Sequence, residues 1–153
     1  MTYTITACSS IHEIGQAKWD ACANPRLANP ASTLPFDPFI SFAFLSALED
    51  SGSATPRTGW APQHLSLVSA DGAVEGVVPM YLKGHSQGEY VFDHSWADAF
   101  ERAGGRYYPK LQVAVPFSPV TGRRLLTLDT PNSAEVEQYL ASGMMQLAEK
   151  LGI

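Results

Sequence analysis

Asp71-Gly72 lies between two apolar runs, residues 65–70 and 74–83. An Asp-Gly pair tolerates the left-handed backbone of a two-residue hairpin turn, so it commits the middle of the chain to an antiparallel strand pair. That constrains the fold class, because the wound α/β folds use parallel strands joined by helices. Pro79 falls inside the second run and has no N–H for a ladder, so a bulge or a sheet edge is expected there.

The flanking segments read as follows. Residues 3–7 alternate Thr with larger side chains and form a first strand. Ser10 and Glu13 have capping-box spacing and start a helix that runs to about Ala23. Asn24-Pro25 and Asn29-Pro30 end it and open a loop. Asp37-Pro38 starts a second helix, over 38–50, which is apolar on most of its circumference. Residues 52–62 form a loop. After the hairpin come a short strand at 89–92 and a helix at 95–103, with Ser95 and Asp98 at capping-box spacing. Strands follow at 111–115 and 124–128. Val136, Leu140, Met144, Leu147 and Leu151 then recur at three- and four-residue steps along a last helix closed by Gly152. The expected class is α+β, a mainly antiparallel sheet with helices on its faces in the order β-α-α-β-β-β-β-α.

The formal net charge of −5 argues against general nucleic-acid binding, which needs a basic footprint. No apolar run is long enough for a membrane span. The opening MTYTITACSS has neither a basic n-region nor a long apolar h-region, and Cys8 and Cys22 form no C-x-x-C. The expectation is a cytoplasmic chain with two ordinary thiols.

Residues 89–124 fit neither a strand nor a helix period over most of their length, so core packing does not account for their composition. Tyr107, Tyr108 and Lys110, with Arg106, Arg123 and Arg124, offer flat faces with hydroxyl tips and cations suited to carboxylate or phosphate. The competing reading puts the tyrosines at the core edge and pairs the arginines with Glu89, Asp93 or Glu101. Asp93 and His94 are adjacent, so on a strand one cannot orient the other as a catalytic triad requires. The plainer roles are a helix cap for Asp93 and packing beside Trp96 for His94. His85, His94 and Asp98 match no familiar metal spacing, so no metal is expected. Glu89, Asp93, Asp98 and Glu101 read as solvated or capping carboxylates. Phe36 and Trp60 are candidates for the same cleft, a core role being the plainer one for Phe36. Gln112 either reaches a ligand across its strand or faces solvent, the second being the more ordinary outcome.

The Asp71-Gly72-Ala73-Val74-Glu75-Gly76 turn resembles the D-G-x-[IV]-x-G hairpin of the GNAT (acyl-CoA N-acyltransferase) fold. The stretches PFISFAFLSALEDSGS, TGWAPQHL and the segment 78–126 resemble a bacterial GNAT-like family of peptidoglycan biosynthesis/recognition, distantly similar to Fem-type peptidyltransferases. The resemblance implies that residues 1–153 are a single N-terminal GNAT-like domain, the incomplete first half of a tandem protein. It implies an N-acyl- or aminoacyltransferase acting on cell-wall precursors, with a second GNAT-like half as partner and aminoacyl-tRNA engaged through the parent protein. On that reading the isolated chain is inactive. Tyr108, Lys110 and Arg123 are the leading substrate contacts, joined by Tyr107, Asp93, His94 and Trp96. The chain departs from the acetyl-CoA users at residues 128–133, LDTPNS, which lack the glycine-rich pyrophosphate loop. No acetyl-CoA cofactor is therefore expected. The alternative is a non-catalytic recognition module for an anionic glycopeptide or a partner protein, with the apolar helix 38–50 as a docking face.

Overall fold

The computed structural model describes residues 2–153. Among them the strands are β1 (Tyr3–Cys8), β2 (Trp60–Pro62), β3 (His64–Ser69), β4 (Val74–Val78), β5 (Met80–Lys83), β6 (Lys110–Val113) and β7 (Leu126–Thr127). The α-helices are α1 (Gln16–Ala23), α2 (Phe42–Asp50), α3 (His94–Arg102) and α4 (Ser133–Leu151). The protein is α+β with antiparallel strands, as the hairpin implied. The strands divide into two sheets, ordered β1-β3-β4-β7 and β2-β5-β6.

The division happens at Pro79. Residues 74–83 are one extended run, but β4 pairs with β3 and β7 while β5 pairs with β2 and β6. Pro79 sits at the crossing, where the lack of an N–H costs no ladder bond. The register shift lies instead within the β3–β4 ladder, where Leu67 faces Gly76 and Val68 faces Val74, so that Glu75 of β4 is the extra residue.

The first sheet is covered on both faces. Alternation along β4 sends Val77 to a cluster with Trp19, Cys22, Ile40 and Leu45, under α1 and α2. It sends Val78 to a second cluster with Leu65, Leu67, Val136 and Leu140, under α4. Gly76 allows α4 to lie close, since a Cβ there would come within 2.8 Å of Val136 Cγ1. Cys8 and Cys22 are free, buried thiols, and burial pushes Cys22 up to about 12.

Several helix starts differ from expectation. The Ser10/Glu13 capping box exists but closes a single 3-10 turn, and Gly15 then starts α1. Asp37 caps a 3-10 turn in the same way, accepting from the Phe39 N–H, while Ser41 caps α2. Proline and short caps satisfy the first free amides but leave the direction of the next turn to packing. Residues 89–92 are not a strand, and residues 60–62, read as loop, are β2.

A buried polar staple ties these parts together. His64 is fully buried, and its Nδ1 accepts the Met80 N–H at 3.3 Å. Its Nε2 therefore carries the proton and donates to Glu49 Oε1 at 2.8 Å. Glu49 also accepts from the Ser10 hydroxyl at 2.7 Å and the Ile11 N–H at 3.0 Å. Burial would raise its carboxyl, but the bonds from His64, Ser10 and Ile11 outweigh this and hold it below the usual range.

Candidate functional site

The register of the small sheet builds the site. Lys83 on β5 lies opposite both Trp60 on β2 and Lys110 on β6, and Tyr81 lies opposite Gln112. Strand alternation puts Trp60, Tyr81, Lys83, Lys110 and Gln112 on one face. Two lysines directly opposed repel one another. Glu89 answers both: Oε1 is 3.8 Å from Lys83 Nζ and Oε2 is 3.8 Å from Lys110 Nζ. Lys83 is wholly buried, donates to the Gln87 carbonyl at 2.9 Å, and lies over the Trp60 ring at 3.8 Å. Burying a cation this way requires the carboxylate and the ring face together.

Glu89 is brought in by an irregular segment, residues 84–93, between β5 and α3. The segment is clamped where the Phe117 N–H donates to the Gly88 carbonyl at 3.0 Å. Gly88 has φ +79°, and a Cβ there would meet the Phe117 ring at 2.6 Å and Trp60 Nε1 at 2.9 Å. Tyr90 (φ 56°) and Phe117 (φ 60°) also take the left-handed region, which non-glycine residues adopt rarely and mostly where surrounding structure forces it.

Asp93 closes the cluster. It is positioned as the N-cap of α3 but makes no side-chain cap bond. Its carboxylate instead accepts from Ser86 Oγ at 2.5 Å, Tyr107 Oη at 2.8 Å, Tyr108 Oη at 3.3 Å and Lys110 Nζ. Burial would raise the Asp93 carboxyl, but these bonds, Lys110 foremost, hold it well below the carboxylate range. Burial pushes Glu89 up, with Lys110 and Lys83 opposing, and lowers Lys83. For Lys110, burial is outweighed by Asp93 and Glu89, and its pKa is raised. Burial first, and then Asp93, raise both Tyr107 and Tyr108.

Trp60, Glu89, Asp93, Lys110, Gln112 and Arg124 line an open cavity of about 460 Å³. Tyr107, Tyr108, Asp93 and Lys110, all expected as ligand contacts, thus come together. Arg123 does not join them. It donates to the Ala23 carbonyl at 2.6 Å and lines a separate hollow with Phe36. Arg124 reaches the cavity wall, yet it donates to the Arg123 and Val120 carbonyls. The carboxylates are answered by lysines rather than arginines. His94 and Trp96 point outward: Trp96 is 74% exposed, and His94 stacks on exposed Phe92 at 5.7 Å rather than beside Trp96. Trp60 belongs to the cavity and Phe36 does not.

Two residues of the cluster were missed by sequence reasoning, Lys83 read as a strand terminus and Glu89 as a solvated carboxylate, and Gln112 was weighed as a ligand contact with solvent the more ordinary outcome. Glu89 is 8% exposed, and the Gln112 Oε1 is buried. The signal for Gln112 was its polarity within an apolar strand. The signal for Glu89 and Lys83 was a pair of charges flanking a glycine-rich turn. Among the described residues no cluster of three or more His, Cys, Asp or Glu groups forms that would hold a metal ion. Among them, too, no helix is long and apolar enough to cross a membrane.

Residues 10–153 match the FemAB-like family, described by peptidoglycan biosynthesis/recognition, and the chain belongs to that family. Neither the search of curated proteins nor that of solved structures gave a match.

Proposed function

We propose that this FemAB-like chain forms the acceptor-binding part of a GNAT-like N-acyl- or aminoacyltransferase that acts on peptidoglycan precursors. The observation that carries the reading is the cluster of alternating charges in which Glu89, Lys110 and Asp93 line an open cavity, with buried Lys83 behind Glu89 and with Tyr107 and Tyr108 bonded to Asp93. Family membership supplies the cell-wall context. The cavity supplies a place where a sugar–peptide ligand with carboxylates and amines finds both signs of charge and aromatic faces. Asp93 is hydrogen-bonded from four sides and held ionised, which suits an electrostatic and positioning role for Lys110 rather than a proton-transfer role for Asp93.

The test is calorimetric binding of a UDP-linked muropeptide to the chain and to its Lys110→Met and Tyr108→Phe variants. The expected result is saturable binding, weakened roughly tenfold or more by Lys110→Met. Binding that is indifferent to Lys110 sinks the reading. A second reading, recognition without catalysis, is favoured by one observation: Lys110, the lysine on the cavity wall, is held charged by Asp93 and Glu89. Transfer of an acyl group from an activated donor to the muropeptide amine by the parent protein separates the two.

A further inference from the structure

The hollow that Arg123 lines is larger than the cleft, about 660 Å³ against about 460 Å³. It opens between two irregular segments, residues 34–39 and 120–123. Most of its wall is apolar, with Leu34, Pro35, Phe36 and Pro38 on one side and Val120 on the other. Phe36 is 53% exposed, so this apolar surface stands open.

Both walls are held from behind. Buried Asn24 accepts the Asp37 N–H on Oδ1 at 2.8 Å and donates from Nδ2 to the Asp37 carbonyl at 3.0 Å. Asp37 accepts the Phe39 N–H at 2.9 Å, and Pro35 and Pro38 fix two φ angles of the same wall. Opposite, the Arg124 guanidinium donates to the Arg123 carbonyl at 2.9 Å and the Val120 carbonyl at 2.7 Å. Gly122 lets the walls approach, since a Cβ there would lie 2.9 Å from Asp37 Oδ2 and 3.2 Å from Arg124 Nη1. The hollow is therefore a preformed shape, with little ordering left for a ligand to impose.

Its charges are unevenly answered. The wall carries one acid, Asp37, and one base, Arg123. Asp37 faces Arg124 across Gly122 and counters the burial that lowers that guanidinium. Arg123 has no such answer. Among the described residues it makes one hydrogen bond, to the neutral Ala23 carbonyl, and no ion pair. A guanidinium has five N–H donors, so most of its fork stays free.

An apolar hollow with one unanswered cation selects its occupant. Arg123 repels an amine, and a neutral apolar molecule leaves the guanidinium unmatched. A phosphate monoester brings close to two charges, and the surplus falls beside Asp37. A carboxylate brings one charge and two oxygens that fit the planar fork. We propose that the hollow is a second binding site, which takes a monocarboxylate with an apolar body, the body lying against Phe36 and the prolines and the carboxylate on Arg123. Val120 is the one residue that lines both the hollow and the cleft, so this site does not rest on the acceptor reading.

The experiment is an NMR titration of the chain with 4-phenylbutyrate, 4-phenylbutan-1-ol and 4-phenylbutyl phosphate, following the amide signals of Phe36, Phe39, Thr121 and Gly122. The expected result is saturable shifts at these positions with the carboxylate, at a Kd on the order of 1 mM. The alcohol should bind at least roughly tenfold more weakly, and the phosphate no more tightly than the carboxylate. Arg123→Gln keeps a donor for the Ala23 carbonyl and should bring the acid down to the affinity of the alcohol, with the alcohol unchanged. Phe36→Ala, at an exposed position, should weaken acid and alcohol alike. A damaged fold weakens both probes together, so the ratio of acid to alcohol is what is read. Equal affinity of acid and alcohol on the unmutated chain overturns the proposal. So does a ratio that survives Arg123→Gln, tighter binding of the phosphate, or shifts that fail to saturate or fall only on other residues.

Discussion

Two buried charged networks among the described residues are built to opposite ends. In the staple, Glu49 accepts from His64, Ser10 and Ile11, and both His64 nitrogens are used. In the cleft, Glu89 meets its lysines only at 3.8 Å and keeps an oxygen without a hydrogen bond. The staple joins α2, β3, β5 and the turn after β1, so closing every bond there fixes the fold. The cleft cluster lies on the outer sheet against a cavity, and its incomplete bonding leaves capacity for a ligand. A buried carboxylate is therefore best judged by what remains unbonded around it, rather than by its burial.

The strongest way to break this comparison is Glu49→Ala. It strands the His64 N–H, the Ile11 N–H and the Ser10 hydroxyl, and should lower stability by roughly 3 kcal/mol in urea unfolding. A loss below about 1 kcal/mol would show that the staple is no tighter than the cleft. Lys110→Met removes the main partner of Asp93 and one of the two partners of Glu89. The expected loss is about 2 kcal/mol with the weakened muropeptide binding described above. An unchanged affinity alongside that loss would make the cluster structural.

Acid titration sharpens the same contrast. Asp93 and Glu49 both have folded pKa values below their unfolded ones, which lie near 3.9 and 4.3. Their contribution is present above those unfolded values and is lost progressively as the pH falls from them through the lower folded values. Glu89 runs the other way: its folded value is raised, so its contribution is present at low pH and fades as the pH rises through that value. The unfolding midpoint should drop as the pH goes from about 5 to 3, with a shallower slope in Asp93→Asn. An identical slope would mean that Asp93 is not held ionised by its partners.

Smaller effects come from residues outside the networks. Arg123→Ala gives up the 2.6 Å bond to the Ala23 carbonyl and should cost about 1 kcal/mol in the same unfolding assay, with ligand binding intact. Tyr108→Phe removes one 3.3 Å bond from a carboxylate that keeps three others, so its stability cost should stay under about 0.5 kcal/mol. A larger cost would show that Asp93 depends on all four partners.

Local chemistry was legible in the sequence where one segment decides the outcome. The Asp71-Gly72 turn, the Ser10/Glu13 box and the α4 periodicity needed no distant partner, and each is found. Residues 89–92 were misread because Tyr90, Val91 and Phe92 imitate a strand while standing exposed in an irregular loop. That loop's path is set by Gly88 against Phe117 and Trp60, contacts from distant parts of the chain. Tyr107, Tyr108 and Lys110 could be picked out as a group because they cluster in sequence, while Asp93 was picked out separately beside His94. Glu89 could not, since its burial depends on two lysines brought face to face by strand pairing. The separation of Arg123 from that cluster was illegible for the same reason, its carbonyl acceptor lying on α1.

The switch at Pro79 bears on how the cleft behaves. Because β4 and β5 are a single covalent run, the floor of the cleft is an extension of the core sheet, with no linker between them. The cleft inherits the stiffness of the interior. On the proposed reading, a ligand would find β6 and the wall it carries already held against β5, and association need not be charged for ordering it.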